Sequence, residues 1–291
     1  MAALVLDLTR LLPGPLAAKI LASLGFRILR LTRPQGDLLE SAEPELHRWL
    51  NRDKESRQLD LKSATGIEEL RRLAREASVL LEGDLPGVME RLSVGREVLC
   101  RENPRLVYVR LTGYRMDAER HLPGHDLTYL AASGVLADMG SAWKHLQLAD
   151  LCGGFWGAIA ALDGIRKGGG FYEVYLSDSC GAVSYPQLSM LNGSIVCYNL
   201  YECLEGQLAL AAIEPAGWRR FCELTCHPEW LPHAFSSAAE SNPVYQDICA
   251  LFRTRTAAEW DEWGSCNRLS LRAVQKQPCS MPMPPWRNIP A

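Results

Sequence analysis

Three things are scarce in this chain of 291 residues: charge of one sign, cysteines in a framework, and long apolar runs. Lys and Arg number 31 against 34 Asp and Glu, a net charge of −3, and the cations are scattered along the chain. Without a basic stripe there is no electrostatic footprint for nucleic acid, so the expected partner is a small molecule or a second copy of the chain. Ten cysteines are present, from Cys100 to Cys279, but their spacing fits no disulfide framework. A chain of this length does not need such staples, so they read as reduced thiols, most of them buried as small hydrophobes. The apolar start "MAALVLDLTRLLPGPLAAKILASLGF" is broken by Asp7, Arg10 and Pro13-Gly14-Pro15 and has no basic leader. This stretch is therefore not expected to act as a signal peptide. No apolar run approaches the ~20 residues of a membrane span, and a soluble, cytoplasmic protein is expected.

Phosphate-binding loops are also missing. There is no Walker loop and no G-x-G-x-x-G after the first strand, and "LPGP" is a poor phosphate cradle because its prolines remove amide donors.

What is present is an ordinary globular balance, 47% apolar and 22% charged, with a clear alternation of strands and helices. "ALVLDLT", "FRILRLTRP", "SRQLDLK", "SVLLEG", "RLVYVRLTGY" and "FYEVYLSDS" read as strands. Between them "GPLAAKILASLG", "GIEELRRLAREA" and the long apolar "GGFWGAIAALDGIRK" read as helices, with "GVMERLSV" and "GREVLCREN" as shorter ones. That order predicts βαβ units and a mostly parallel sheet, a Rossmann-like α/β large domain over residues 1–188. Past residue 190 the texture changes. "SIVCYNLYECLEGQLALAAIEP" reads as a hairpin around Glu205-Gly206, and the helical stretches "AGWRRFCELTC" and "NPVYQDICALFRTRTAAEWDEW" follow. A smaller α+β domain over 189–278 is expected, then an irregular Pro-rich tail over 279–291.

Several side chains could carry chemistry. Asp150 opens a long apolar helix; it is either a helix cap or a carboxylate placed where free amides could also receive an oxyanion. His125 and Asp126 stand together in "LPGHDLTYL", where His125 is either a turn residue or a base and Asp126 an acceptor holding the turn. Glu214 in "AAIEP" either caps the next helix or orients an imidazole. Cys222, Cys226, His227 and His233 approximate a zinc quartet, but Cys222 and Cys226 have the i, i+4 spacing of a helix face and fit no standard finger. No metal is expected.

Taken together, "VLDLTRLLPGPLAAKILASLG", "LNRDKESRQLDLK", "VLLEGDLPGVMERLSVG", "ENPRLVYVRLTGY", "GHDLTYLAASGVL", "QLADLCGG" and "AIEP" follow the order seen in family III CoA transferases. The chain resembles that family over about residues 3–220. The combination of "GHD" with "AIEP" resembles its α-methylacyl-CoA racemase branch. The resemblance implies a CoA-binding large domain, a small domain and an interlocked homodimer. Coenzyme A would enter only as part of the acyl-CoA substrate, with no tightly bound cofactor. It implies that His125, paired with Glu214, faces Asp150 across the substrate α-carbon. It further places Arg30, Arg33, Lys54 and Lys62, with Asp126 and Tyr129, near the CoA moiety.

Three readings follow from this resemblance. The first is two-base epimerisation of a 2-methylacyl-CoA or related 2-arylpropanoyl-CoA through an enolate. The second is CoA transfer with Asp150 as nucleophile, and the third a non-catalytic CoA-binding paralogue. The chain departs from the family pattern at "VLLENFRPG", where Leu85 replaces an arginine. It departs again at "SGYG", where Arg115 replaces a glycine and would crowd the pocket or add a cation. The family's closing C-terminal segment, and part of its linker after Asp178, have no counterpart here.

Overall fold

The structure is a computed structural model that describes residues 2–115, 121–139, 144, 146–184 and 191–275. The described residues divide into two units, one ending at residue 184 and the other beginning at 191.

In the first unit, six strands form one parallel sheet: β1 (Leu4–Asp7), β2 (Arg27–Thr32), β3 (Glu55–Gln58), β4 (Val79–Glu82), β5 (Val107–Thr112) and β6 (Gly170–Tyr175). Their order is β3-β2-β1-β4-β5-β6, so the winding reverses between β1 and β4. Helix α1 (Pro13–Ser23) follows β1; α2 (Leu38–Ala42) and α3 (Pro44–Asn51) follow β2. Helix α4 (Ala64–Glu76) precedes β4, and α5 (Val88–Arg91) and α6 (Arg96–Glu102) precede β5. The crossover to β6 carries α7 (Asp126–Ser133), α8 (Val135–Met139) and α9 (Leu148–Lys167), and α10 (Leu176–Ser184) leaves β6 at once.

Side-chain alternation explains why helices cover both faces. Leu6, Leu29, Leu80 and Tyr108 point to one face, where Leu70 and Leu73 of α4 and Leu99 of α6 close the core. Val5, Ile28, Leu81 and Val109 point to the other, against Ala17 and Leu21 of α1 and Ala158 and Ala161 of α9. All six residues of β5 are buried, whereas all four of the edge strand β3 are exposed and polar.

Helix α9 lies unusually close to its neighbours because its inner face is glycine. A methyl at Gly154 would meet Leu16 and the Pro13 carbonyl, and one at Gly164 would overlap Val107. Contrary to the sequence expectation, this 20-residue helix has the length and hydropathy of a membrane span. Its Gly/Ala stripe nevertheless packs into the sheet core, as a helix of an α/β layer does.

The second unit is α+β. Strands β7 (Tyr198–Glu202) and β8 (Gln207–Ala211) make the expected antiparallel hairpin, and β9 (Leu271–Ala273) adds a third strand beside β8. Helix α11 (Pro215–Leu224), a 3-10 turn (Pro228–His233), α12 (Pro243–Phe252) and α13 (Ala257–Cys266) cover it. Trp218, Phe221, Trp230, Phe252 and Trp260 form its aromatic core.

The differences from the expected elements are local. The strand read as "FYEVYLSDS" ends at Tyr175, and Leu176 already begins α10. The stretch read as one helix over "NPVYQDICALFRTRTAAEWDEW" is two, because Thr256 starts α13 with a capping box closed by Glu259. Cys222 is buried in the aromatic core, while Cys226 is exposed with φ of 61°. Of the described cysteines none is disulfide-bonded, and Cys152, Cys180, Cys197 and Cys222 are buried. The tail expected over 279–291 lies outside the described residues.

Candidate active site

A cavity of about 460 Å³ opens in the first unit at the C-terminal ends of β1, β4 and β5. This is the point where the strand order reverses, the usual place for a ligand on an open parallel sheet. The β1–α1 loop contributes Thr9, Arg10, Leu11, Pro13 and Gly14. The β4–α5 loop contributes Gly83, Asp84 and Leu85, and the end of β5 contributes Thr112 and Gly113. His125, Tyr129 and Asp150 close it from α7 and α9.

His125 is the N-cap residue of α7. Its amide donates to Thr128 Oγ1 at 3.1 Å, and the residue is exposed to the cavity. Asp126 turns the other way and is buried. Its Oδ1 accepts from the amide of Asp150 at 3.0 Å, so Asp126 caps α9, whose own N-cap residue Gln147 provides no side-chain bond. It holds a neighbouring helix, whereas the bonds in its own turn are made by Thr128, whose Oγ1 accepts from the His125 amide and donates to His125 O. The amides of Leu148 and Leu151 are also engaged, with Leu146 O at 3.0 Å and Gln147 O at 2.9 Å. The first turn of α9 therefore has its amides occupied, and they are not free to receive an enolate oxygen as the sequence reading expected. By contrast, the amides of Asp126 and Leu127 at the start of α7 have no acceptor among the described residues.

Asp150 is half-buried. Burial, and secondarily the charge of Asp126, push its carboxyl up to about 7. Burial also raises Asp126, against the opposing pull of the α9 amides that it accepts. Tyr129 donates its hydroxyl to Gly124 O at 2.6 Å and packs edge-on to Tyr114, ring centroids 5.2 Å apart. Gly113 and Gly124 leave room for that ring, since a methyl on either would collide with it. The Pro-Gly before "HD" is thus fixed by close approach.

The expected cations separate. Arg33 lines the cavity. Arg30 is buried against Asp37 at 2.9 Å, and Lys54 is buried with its Nζ 2.9 Å from Asp7 and 3.0 Å from Pro15 O. Burial lowers the pKa of Lys54, with Asp7 opposing the shift. Lys62 is exposed and outside the cavity lining. Arg115 does not reach the cavity; it pairs with Asp178 at 2.6 Å over the Tyr175 ring. Glu214 belongs to the second unit, where it is the exposed N-cap residue of α11 without a side-chain cap bond. Two charged lining residues, Arg10 and Asp84, were not among the site residues expected from the sequence. Their signal was position, each standing just past the end of a buried strand that borders the reversal point.

The sequence profile of CoA-transferase family III matches residues 3–170 and 174–277. The chain belongs to CoA-transferase family III. Human alpha-methylacyl-CoA racemase is 35% identical over 286 residues, 88% of this chain and 72% of the human protein. The acetyl-CoA:oxalate CoA-transferase of Acetobacter aceti is 32% identical over 209 residues, 66% of this chain and 51% of that protein. In structure, the family III chain is similar to Rv3272 of Mycobacterium tuberculosis, a probable fatty acyl-CoA transferase. The TM-score is 0.81 at 26% identity, covering 94% of this chain and 82% of that one. Both racemases and transferases are thus among the relatives of this chain.

Proposed function

We propose that this family III chain epimerises a 2-methylacyl-CoA at its α-carbon by two-base proton transfer. The observation that carries the reading is the pairing of His125 with Asp150 in one cavity, Asp150 being held by Asp126 and poised near neutrality. The 35% identity to human alpha-methylacyl-CoA racemase supports the same reading.

The α-proton of a thioester is acidic only through its enolate. In the proposed reaction the Asp150 carboxylate removes that proton from one face and the C–H electron pair moves into the C–C–O system. The imidazolium of His125 then delivers a proton to the other face, and the reverse direction exchanges the two roles. A base that titrates near working pH suits both halves of such a cycle. The enolate oxygen is assigned to the amides of Asp126 and Leu127, at the positive end of α7. Leu111, Leu122, Pro123 and Leu176 give the acyl chain an apolar wall. Coenzyme A arrives and leaves with the substrate. A homodimer belongs to the same proposal, supported by the exposed apolar stripe Phe155, Trp156, Ile159 and Leu162 on α9.

Incubation with each 2-methylacyl-CoA epimer in D₂O, followed by NMR, tests the reading. Deuterium at the α-carbon with loss of stereochemical purity is expected. The identity to an acetyl-CoA:oxalate CoA-transferase favours a second reading, in which Asp150 attacks the thioester carbonyl and expels the CoA thiolate to leave a mixed anhydride. No α-deuteration, together with a hydroxamate formed when hydroxylamine is added, would replace the first reading by the second.

A further inference from the structure

Three segments of the cavity wall meet through one carboxylate. Asp84, just past β4, has a side chain only 7% exposed and bridges Arg33, at the end of β2, and Arg10, in the β1–α1 loop, at 3.4 Å. Neither arginine has another ion-pair partner among the described residues, and their side chains stay 45% and 30% exposed for Arg10 and Arg33 respectively. Asp84 is fixed from behind. Its amide donates to Glu82 Oε2 at 2.7 Å, and Glu82 is itself fully buried against Arg110 and Tyr108. Between Arg10 and Pro13 the loop turns at Leu11, whose φ of 63° is rare for a branched side chain, and the Leu11 amide leans on Asp37 at 3.4 Å.

Two guanidiniums brought to one place repel each other. A carboxylate between them removes that repulsion, leaves one net positive charge, and leaves most of their N–H donors unused. Such a pair suits a phosphate, which accepts from two planar forks at once. The placement also separates the two ends of a long ligand. His125 and Asp150 come from the helices between β5 and β6, whereas Arg10 and Arg33 come from the β1 and β2 side of the same cavity.

We propose that Asp84 is a positioning residue for the nucleotide end of an acyl-CoA, holding Arg10 and Arg33 as a preassembled phosphate clamp. The proposal rests on the acyl-CoA reading of the cavity but not on the reaction performed there. It deepens that reading by assigning the clamp to Asp84, a cavity-wall residue that acts through the two arginines it holds.

The test is calorimetric binding of CoA and of pantetheine, which lacks the nucleotide phosphates, to the wild type, Asp84→Asn and Arg10→Gln. Asp84→Asn is expected to lower the ratio of CoA to pantetheine affinity by about tenfold, and Arg10→Gln to do the same. Their combination should lose little more, because both act on one clamp. An equal loss for both ligands would make Asp84 a merely structural residue and overturn the proposal. An unchanged ratio, or tighter CoA binding, would overturn it too, the latter because Asp84 would then compete with the phosphate. If Asp84→Asn does not fold, Arg10→Gln decides, since Arg10 is nearly half exposed; an unchanged ratio in that variant sinks the clamp. A wild type that shows no preference for CoA over pantetheine overturns it at once. Loss of the epimerase reading in D₂O leaves these ratios untouched, so the two failures are told apart.

Discussion

Asp150 carries an uncomfortable charge, and that discomfort has two measurable consequences. Its carboxyl sits at about 7 in the folded chain against an ordinary 3.8, so folding favours the protonated form. The contribution of this group to stability is therefore fully present below the ordinary carboxylate range and is lost as pH climbs toward 7. Asp150→Asn should stabilise the protein at pH 8, by on the order of 1–2 kcal/mol, and leave it nearly unchanged at pH 4. Denaturant melts at the two pH values check this, and equal effects at both would contradict the assignment. In turnover, kcat/KM should show a limb near pH 7. Because epimer interconversion is nearly thermoneutral, the profiles of the two epimers should coincide. Asp126→Asn removes the second cause of the shift and should move that limb to lower pH; a limb that stays put would leave burial as the whole cause. Replacing His125 by Ala should suppress deuterium exchange from one epimer more than from the other. Equal residual exchange would count against a two-base scheme. Of these residues, His125, Tyr129 and Asp150 could be read from the sequence and do share a cavity. Arg30 and Lys54 show what could not be read. Each is taken up by an acid from another segment, Asp37 or Asp7, and which acid meets which base is decided by folding.

Among the elements, α9 sets the position of the site. Gly153, Gly154, Gly157 and Gly164 let it settle against α1, β5 and α10. Gly154→Val should destabilise the protein by ~1–3 kcal/mol, the usual effect of overpacking, and lower turnover by displacing the start of the helix. Urea denaturation with parallel rate measurements would show both; a stable variant with a slow rate would point to a local effect at Asp150 instead. The strands were legible because continuous apolar runs such as "VYVRLT" have few other places to go. The missed elements have physical causes. Helix α2 is five residues long and mostly exposed, α3 is only eight residues long, and Pro44 between them reads as a break although it serves as a first-turn residue. Strand β9 is only three residues long and acquires its identity from pairing with β8.

For the molecule as a whole, the change of texture near residue 190 announced a second unit, while the number of strands in it did not follow from pattern alone. The exposed stripe on α9 is where the proposed homodimer can be tested. Ile159 and Phe155 are each 50% exposed, more than a lone soluble helix needs to leave uncovered. Ile159→Asp should raise the monomer fraction in sedimentation velocity without lowering the melting temperature of the monomer. A wild type that sediments as a monomer would remove the dimer from the proposal.

The bond from Asp126 to the start of α9 has a consequence for how this protein tolerates a change in loop length. One proposed base, His125, is the chain neighbour of Asp126, and the other, Asp150, offers the very amide that Asp126 holds. The gap between the two proposed proton carriers is therefore set by a strut across space as well as by the chain connecting α8 to α9. While the strut holds, a change in the length of that connection is expected to leave the gap unchanged, and a variant lengthened there should keep the α-deuterium exchange of the wild type.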